Sequence, residues 1–73
     1  MEPYKNSSGT SGVSAYEIGI DYIEVAFNGT PKIYTYSYDG KAGKAHVDNM
    51  KQCAISGSGL NTYINKYTKK LYD

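Results

Sequence analysis

From Val13 onward, apolar and polar residues alternate: Tyr16, Ile18 and Ile20 fall on one side of an extended segment, and Ala15, Glu17 and Gly19 on the other. A period of two predicts a half-buried strand. Asp21 and Tyr22 supply a tight reversal, after which Ile23, Val25 and Phe27 alternate with Glu24 and Ala26 and predict a second strand with one apolar face. Asn28-Gly29 tolerates the positive φ angles of a hairpin turn, and Pro31 has no N–H for a ladder, so pairing should resume near Lys32. Residues 33–38 are then the third strand.

The period changes after Tyr38. Asp39-Gly40-Lys41-Ala42-Gly43 breaks the chain, and Val47, Met50 and Ala54 recur at helical spacing with Cys53 beside them, which predicts a helix over 44–55. Ser56-Gly57-Ser58-Gly59 offers a glycine to end that helix and a serine to cap the next. Leu60, Tyr63, Ile64, Tyr67 and Leu71 form the apolar stripe of a second helix, with Lys66, Lys69 and Lys70 in its last turns. Residues 1–12 carry no aliphatic pattern and are rich in Ser, Gly and Thr, so they read as a disordered tail before a single domain at 13–73. The expected fold class is α+β: a three-stranded antiparallel meander followed by two helices packed on one face.

Composition narrows the function. A chain of 73 residues has room for one core, and at this size a domain buries about 60% of its unfolded surface. One cysteine leaves no disulfide, and no apolar stretch is long enough for a membrane span or a signal-peptide core, so a cytoplasmic protein without membrane contact is expected. A net charge of +1 argues against indiscriminate polyanion binding. Nine Tyr with no Trp, and eight Lys with no Arg, are open to two readings. An AT-rich genome enriches Tyr, Lys, Asn and Ile together; alternatively, tyrosine suits a surface that stacks on bases or grips another protein.

Several segments resemble the KTSC domain, a small module found as a C-terminal extension of some lysyl-tRNA synthetases and as stand-alone bacterial proteins. Val13-Ser14 with Ile18-Gly19-Ile20-Asp21 looks like its opening strand and turn, and Ile23-Glu24-Val25-Ala26-Phe27 like its second strand. Tyr34-Thr35-Tyr36 is similar to its central Y-x-Y motif, and Cys53-Ala54 through Ser56, Gly57, Asn61 and Ile64 to its small-residue link and final helix. The resemblance covers 13–67 and implies a single α+β domain. For activity it implies only a suggested link to RNA, since the family has no established function.

The third strand carries the main candidate chemistry, because Tyr34, Tyr36 and Tyr38 share one face of it while Ile33, Thr35 and Ser37 share the other. If the tyrosines point away from the helices, they form a stacking platform for single-stranded bases. If they point inward, they are core. Gly40-Lys41-Ala42-Gly43-Lys44 has neither the spacing nor the Ser/Thr of an ATPase phosphate loop, and it follows a strand, unlike the G-x-x-G loop of KH domains. What remains is a flexible connector, or glycine amides and two lysines at a helix start suited to a phosphate. Residues 1–38 set Lys5 and Lys32 against Glu2, Glu17, Asp21 and Glu24, whereas 39–73 set six lysines against Asp39, Asp48 and Asp73. The helical half is the basic one.

Catalysis has little to build on. His46 and Cys53 are seven positions apart on one helix, about 10 Å along its axis, too far for a shared metal or a nucleophile and base. No cofactor or metal is expected, and no enzyme activity. The chain therefore reads as a non-catalytic binding module for RNA or single-stranded nucleic acid, with Tyr34, Tyr36, Tyr38, Lys41, Lys44, Lys66, Lys69 and Lys70 as its contacts. The alternative is a protein-interaction module that uses the tyrosine-rich sheet face or an exposed strand edge.

Overall fold

The computed structural model describes residues 1–6, 9 and 12–73. Four antiparallel strands form one sheet in chain order: β1 (Glu2–Pro3), β2 (Val13–Ile18), β3 (Tyr22–Phe27) and β4 (Ile33–Ser37). The helices follow, α1 (Gly43–Ser56) and α2 (Leu60–Tyr63), and α2 runs on into a π-helical segment over Ile64–Thr68. The class is α+β with an antiparallel sheet and two helices, but the sheet has four strands where the sequence pattern predicts three.

The extra strand comes from the segment expected to be a disordered tail. Glu2 lies opposite Tyr16 and Pro3 opposite Ala15, and the Tyr4 N–H donates to the Ser14 carbonyl at 3.0 Å. Tyr4 anchors the segment: its ring is buried with the core, and burying one large side chain gains about 1.5–3 kcal/mol, which with the ladder bonds offsets part of the cost of ordering it. Positions 7, 8, 10 and 11 of the expected tail lie outside the described residues.

A bulge between Val13 and Ala15 corrects the face of β2, so that Val13 opposite Phe27 and Tyr16 opposite Val25 both look toward the helices although three positions separate them. The β2–β3 turn closes with Gly19 N–H donating to the Tyr22 carbonyl at 2.9 Å, which puts Ile20 and Asp21 at its tip. Ile20, expected on the face shared by Tyr16 and Ile18, is instead 95% exposed.

Val13, Ile23, Val25 and Tyr36 form the sheet side of the core, and Val47, Met50, Ala54, Leu60 and Ile64 the helix side. The spacing of Val47, Met50 and Ala54 predicted that face of α1. α1 ends at Gly57, whose φ of 74° is left-handed and whose N–H reaches the carbonyls of Cys53 and Ala54. The expected serine cap on α2 is not made. Ser56 Oγ donates back to the Cys53 carbonyl at 3.0 Å, and the first amide of α2, Leu60 N–H, goes to the Tyr4 hydroxyl at 3.2 Å.

The stripe predicted for the last helix changes at its π-helical segment. Wider winding makes Leu60, Ile64 and Thr68 the inward positions, so Thr68 is fully buried with its hydroxyl 3.6 Å from Met50 Sδ, while Tyr67 is 48% exposed. Among the described residues, no helix is long and apolar enough to cross a membrane.

Candidate nucleic-acid interface

Strand alternation divides the sheet into a helix-covered face and an open one. The tyrosine stripe lies on the covered face: Tyr36 is opposite Ile23, and Tyr34 is opposite Val25, both of which are core residues. The open face instead carries Glu17 directly opposite Glu24, with Tyr22, Thr35 and Ser37 alongside. Tyr22 Oη and Thr35 Oγ1 donate to these carboxylates at 3.5 and 3.3 Å. The charge on Glu17, then burial and Glu24, push the Tyr22 phenol above its usual value. A face of this sign repels phosphate, and of the two orientations open to the tyrosine stripe the inward one is found.

The three tyrosines separate in role. Tyr36 is 1% exposed, which leaves no ring face for a base, and burial pushes its phenol up to about 12. Tyr38 donates to Asp48 Oδ1 at 2.5 Å and accepts from Lys51 Nζ at 3.1 Å, and the ammonium groups of Lys44 and Lys51 stand 5.1 and 4.7 Å from its ring centroid. Its ring is engaged within the fold. Lys44 also bonds Asp48 Oδ2 at 2.8 Å, and the hydrogen bonds from Lys44 and Tyr38 hold the Asp48 carboxyl below its usual range. Lys41 is exposed on the β4–α1 connection and does not line the cleft described next.

Tyr34 opens onto a cleft of about 420 Å³ between the β3–β4 hairpin and the C-terminal residues. Phe27, Tyr34 and Tyr72 give it aromatic walls, Tyr36 and Ile64 lie at its base, and Lys69 and Lys70 bring positive charge. Tyr34 and Tyr72 stand with centroids 5.0 Å apart, and Phe27 meets Tyr34 edge-on at 5.5 Å. The Lys32 ammonium is 5.1 Å from the Tyr34 centroid and 5.5 Å from that of Tyr72. Among the described residues, the lining of this cleft includes no carboxylate.

Tyr72 is placed by its neighbour. Asp73 N–H donates to the Thr35 carbonyl at 2.7 Å, while Ser37 N–H and Oγ donate to the Asp73 carboxylate at 3.3 and 2.6 Å. Asp73 thereby extends along the outer edge of β4. Phe27 belongs to the alternation of the second strand, but Lys32 and Tyr72 carry no periodic signal in the sequence; the nearest clue is the pairing of Lys69-Lys70 with an aromatic two positions further on.

A second aromatic group stands on the helices. His46 and Tyr67 stack at 6.0 Å with 28° between their planes, Tyr63 packs 4.8 Å from Tyr67, and Lys66 lies 5.3 Å above the Tyr67 ring. The Tyr63 hydroxyl is 2.7 Å from His46 Nδ1 and accepts from Asn49 Nδ2 at 3.2 Å. His46 is thus paired with tyrosines rather than with Cys53, whose thiol burial pushes up and away from reactivity. The described residues contain no group of three or more His, Cys, Asp or Glu side chains able to hold a metal ion.

Flat apolar walls beside three ammonium groups suit a ligand that is planar at one end and anionic at the other. Comparison with known proteins gives no match for the chain, whether to a family model, a curated protein or a solved structure.

Proposed function

We propose that this protein is a small binding module for single-stranded nucleic acid, such as RNA, and that the Tyr34–Tyr72 cleft receives one base while Lys32, Lys69 and Lys70 meet the adjoining phosphates. One observation carries the reading: the Lys32 ammonium lies within 5.5 Å of the centroids of both rings, Tyr34 and Tyr72, that line an aromatic cleft together with Lys69 and Lys70. Stacking supplies affinity without sequence preference, and lysines supply charge without the guanidinium fork that reads guanine. A weak, sequence-tolerant contact follows. The resemblance to the KTSC domain fits this reading through its suggested link to RNA.

Titration of a fluorescein-labelled decathymidylate or decauridylate by anisotropy tests it. Three phosphate contacts on a single strand predict a roughly 20-fold loss of affinity between 50 and 200 mM salt. Removing a stacking ring by Tyr72→Ala predicts a further loss of about 1–3 kcal/mol. Binding that ignores both salt and Tyr72, or no binding at all, overturns the proposal.

A protein partner is the second reading, favoured by aliphatic exposure at the β2–β3 turn and the end of α1. Ile20 and Ile55 are 95% and 62% exposed, and Ile55 lies one helical turn beyond Lys51, which bonds the Ile20 carbonyl at 3.2 Å. Light scattering and pull-down with an Ile20→Ser, Ile55→Ser double variant as control test this surface: a partner lost in the double variant supports it, and a monomer that retains none counts against it.

A further inference from the structure

The two aromatic sites stand on opposite flanks of the last helical segment, and that arrangement defines a path. Ile64 and Thr68 point inward. Tyr63 and Tyr67, four positions apart, share one flank with His46, while Asn65 and Lys69, also four apart, share the flank that lines the cleft. Lys66 and Lys70 fall between them on the exposed side, Lys70 at the edge of the cleft it also lines. An aromatic site on each flank with a lysine ridge between is the order of parts that a single strand meets when it crosses a helix: base, phosphates, base.

We infer that single-stranded nucleic acid crosses this segment transversely, with one base in the Tyr34–Tyr72 cleft, phosphates over Lys66 and Lys70, and a second base on the exposed ring of Tyr67. The inference rests on the binding function proposed above and adds a second contact site and a minimum ligand length. Tyr67 is suited to the role because it is 48% exposed and already backed by His46, so a base would complete a stack whose far side is in place. Its lysine neighbour is equally suited, since Lys66 stands 5.3 Å from the ring and can turn to a phosphate without leaving a buried partner behind. A helix with its side chains is about 10–12 Å wide. At about 3.4 Å per stacked nucleotide, and more when extended, the bridge takes about three nucleotides.

Length dependence and one exposed variant test the path. Oligothymidylates of one to six nucleotides are titrated against the whole chain, with amide chemical shifts as the readout for the weakest. Affinity should climb to three or four nucleotides and then level off. Tyr67→Ala should weaken the four-nucleotide ligand by roughly 5- to 150-fold, the range expected for one stacked base, and leave thymidine monophosphate unchanged. Tyr67→Phe, which keeps the ring, should restore the longer ligand, whereas Tyr72→Ala should weaken both. If Tyr67→Ala leaves the four-nucleotide affinity intact while Tyr72→Ala lowers it, the crossing path is wrong and the cleft stands. If no oligonucleotide binds, both are wrong.

Discussion

The hydroxyl of Tyr4 accepts the backbone N–H of Leu60 at 3.2 Å, so a side chain just after β1 does the work of a helix cap at the start of α2. Ser58 and Gly59 precede that helix without giving it a side-chain cap. Tyr4→Phe keeps the ring and leaves the buried Leu60 amide without its acceptor, which should cost about 1–2 kcal/mol. Tyr4→Ala also empties the ring's place in the core and should cost about 3–5 kcal/mol. Urea unfolding of the two variants measures both effects. Equal midpoints for Tyr4→Phe and the parent chain would show that the bond contributes nothing.

Tyr36 makes stability depend on alkaline pH. Its phenol is pushed up to about 12 by burial, against about 10 in an unfolded chain. The unfolded state therefore loses its proton first as pH rises. The contribution from this group is complete below pH 10 and falls away between about 10 and 12, at about 1.4 kcal/mol per pH unit for a single site. Tyr36→Phe has no such proton to lose. Urea midpoints from pH 8 to 11.5 should decline more steeply for the parent than for the variant, and parallel declines would remove Tyr36 as the cause.

Lys51 joins the sheet to α1. Its ammonium donates to the carbonyls of Gly19 and Ile20 at 3.0 and 3.2 Å and to the Tyr38 hydroxyl at 3.1 Å, so one side chain pins the β2–β3 turn from the helix. Lys51→Met keeps the stem and removes all three donors. The expected cost is about 1–2 kcal/mol, below the full value for charged hydrogen bonds because the site is partly open to solvent. Hydrogen exchange should quicken at the Gly19 amide, which closes the turn. Lys41→Met, on an exposed connection, should change stability by less than about 0.5 kcal/mol; similar losses in the two variants would show that charge alone, not the turn contact, is responsible.

The parts of the fold that are legible in the sequence are those whose apolar positions keep one period. Ile23 and Val25 alternate along β3, and Val47, Met50 and Ala54 keep helical spacing along α1; both sets are buried. β1 is illegible because two residues cannot show a period, and Tyr4 is recognised as core only through a contact with Leu60, far along the chain. Ile20 misleads because an aliphatic residue at a turn tip continues the alternation of the strand before it. Tyr67 misleads because the 3.6-residue period fails where the helix widens, and Thr68 takes the inward position instead. In the cleft, Tyr34, Lys69 and Lys70 are legible from strand alternation and local charge. Lys32 and Tyr72 are not, since one precedes a strand and the other follows the last helix, and only the folded chain brings them together.

Asp73 offers a way to disturb the cleft without touching it. Its carboxylate receives Ser37 N–H and Oγ, and its N–H reaches the Thr35 carbonyl, so the residue next to Tyr72 is fastened to the edge of β4 at three points. That fastening sets Tyr72 5.0 Å from Tyr34. Gly40 belongs to the same arrangement, because a side chain there would strike the Asp73 carboxylate and Ser37 Oγ. Asp73→Ala leaves every cleft side chain and the backbone bond to Thr35 in place but removes the two carboxylate fastenings, which loosens Tyr72 against its partner ring. Oligonucleotide affinity should fall by about as much as in Tyr72→Ala, roughly 5-fold or more if stacking on that ring is worth at least 1 kcal/mol, while the urea midpoint moves little because the lost bonds are exposed. Gly40→Ala should reproduce the loss through crowding rather than through a missing acceptor. If Asp73→Ala binds as tightly as the parent chain, the ring contacts and the backbone bond to Thr35 suffice to hold Tyr72; a rise in affinity would instead show that removing a negative charge near the lysines outweighs the placement of the ring.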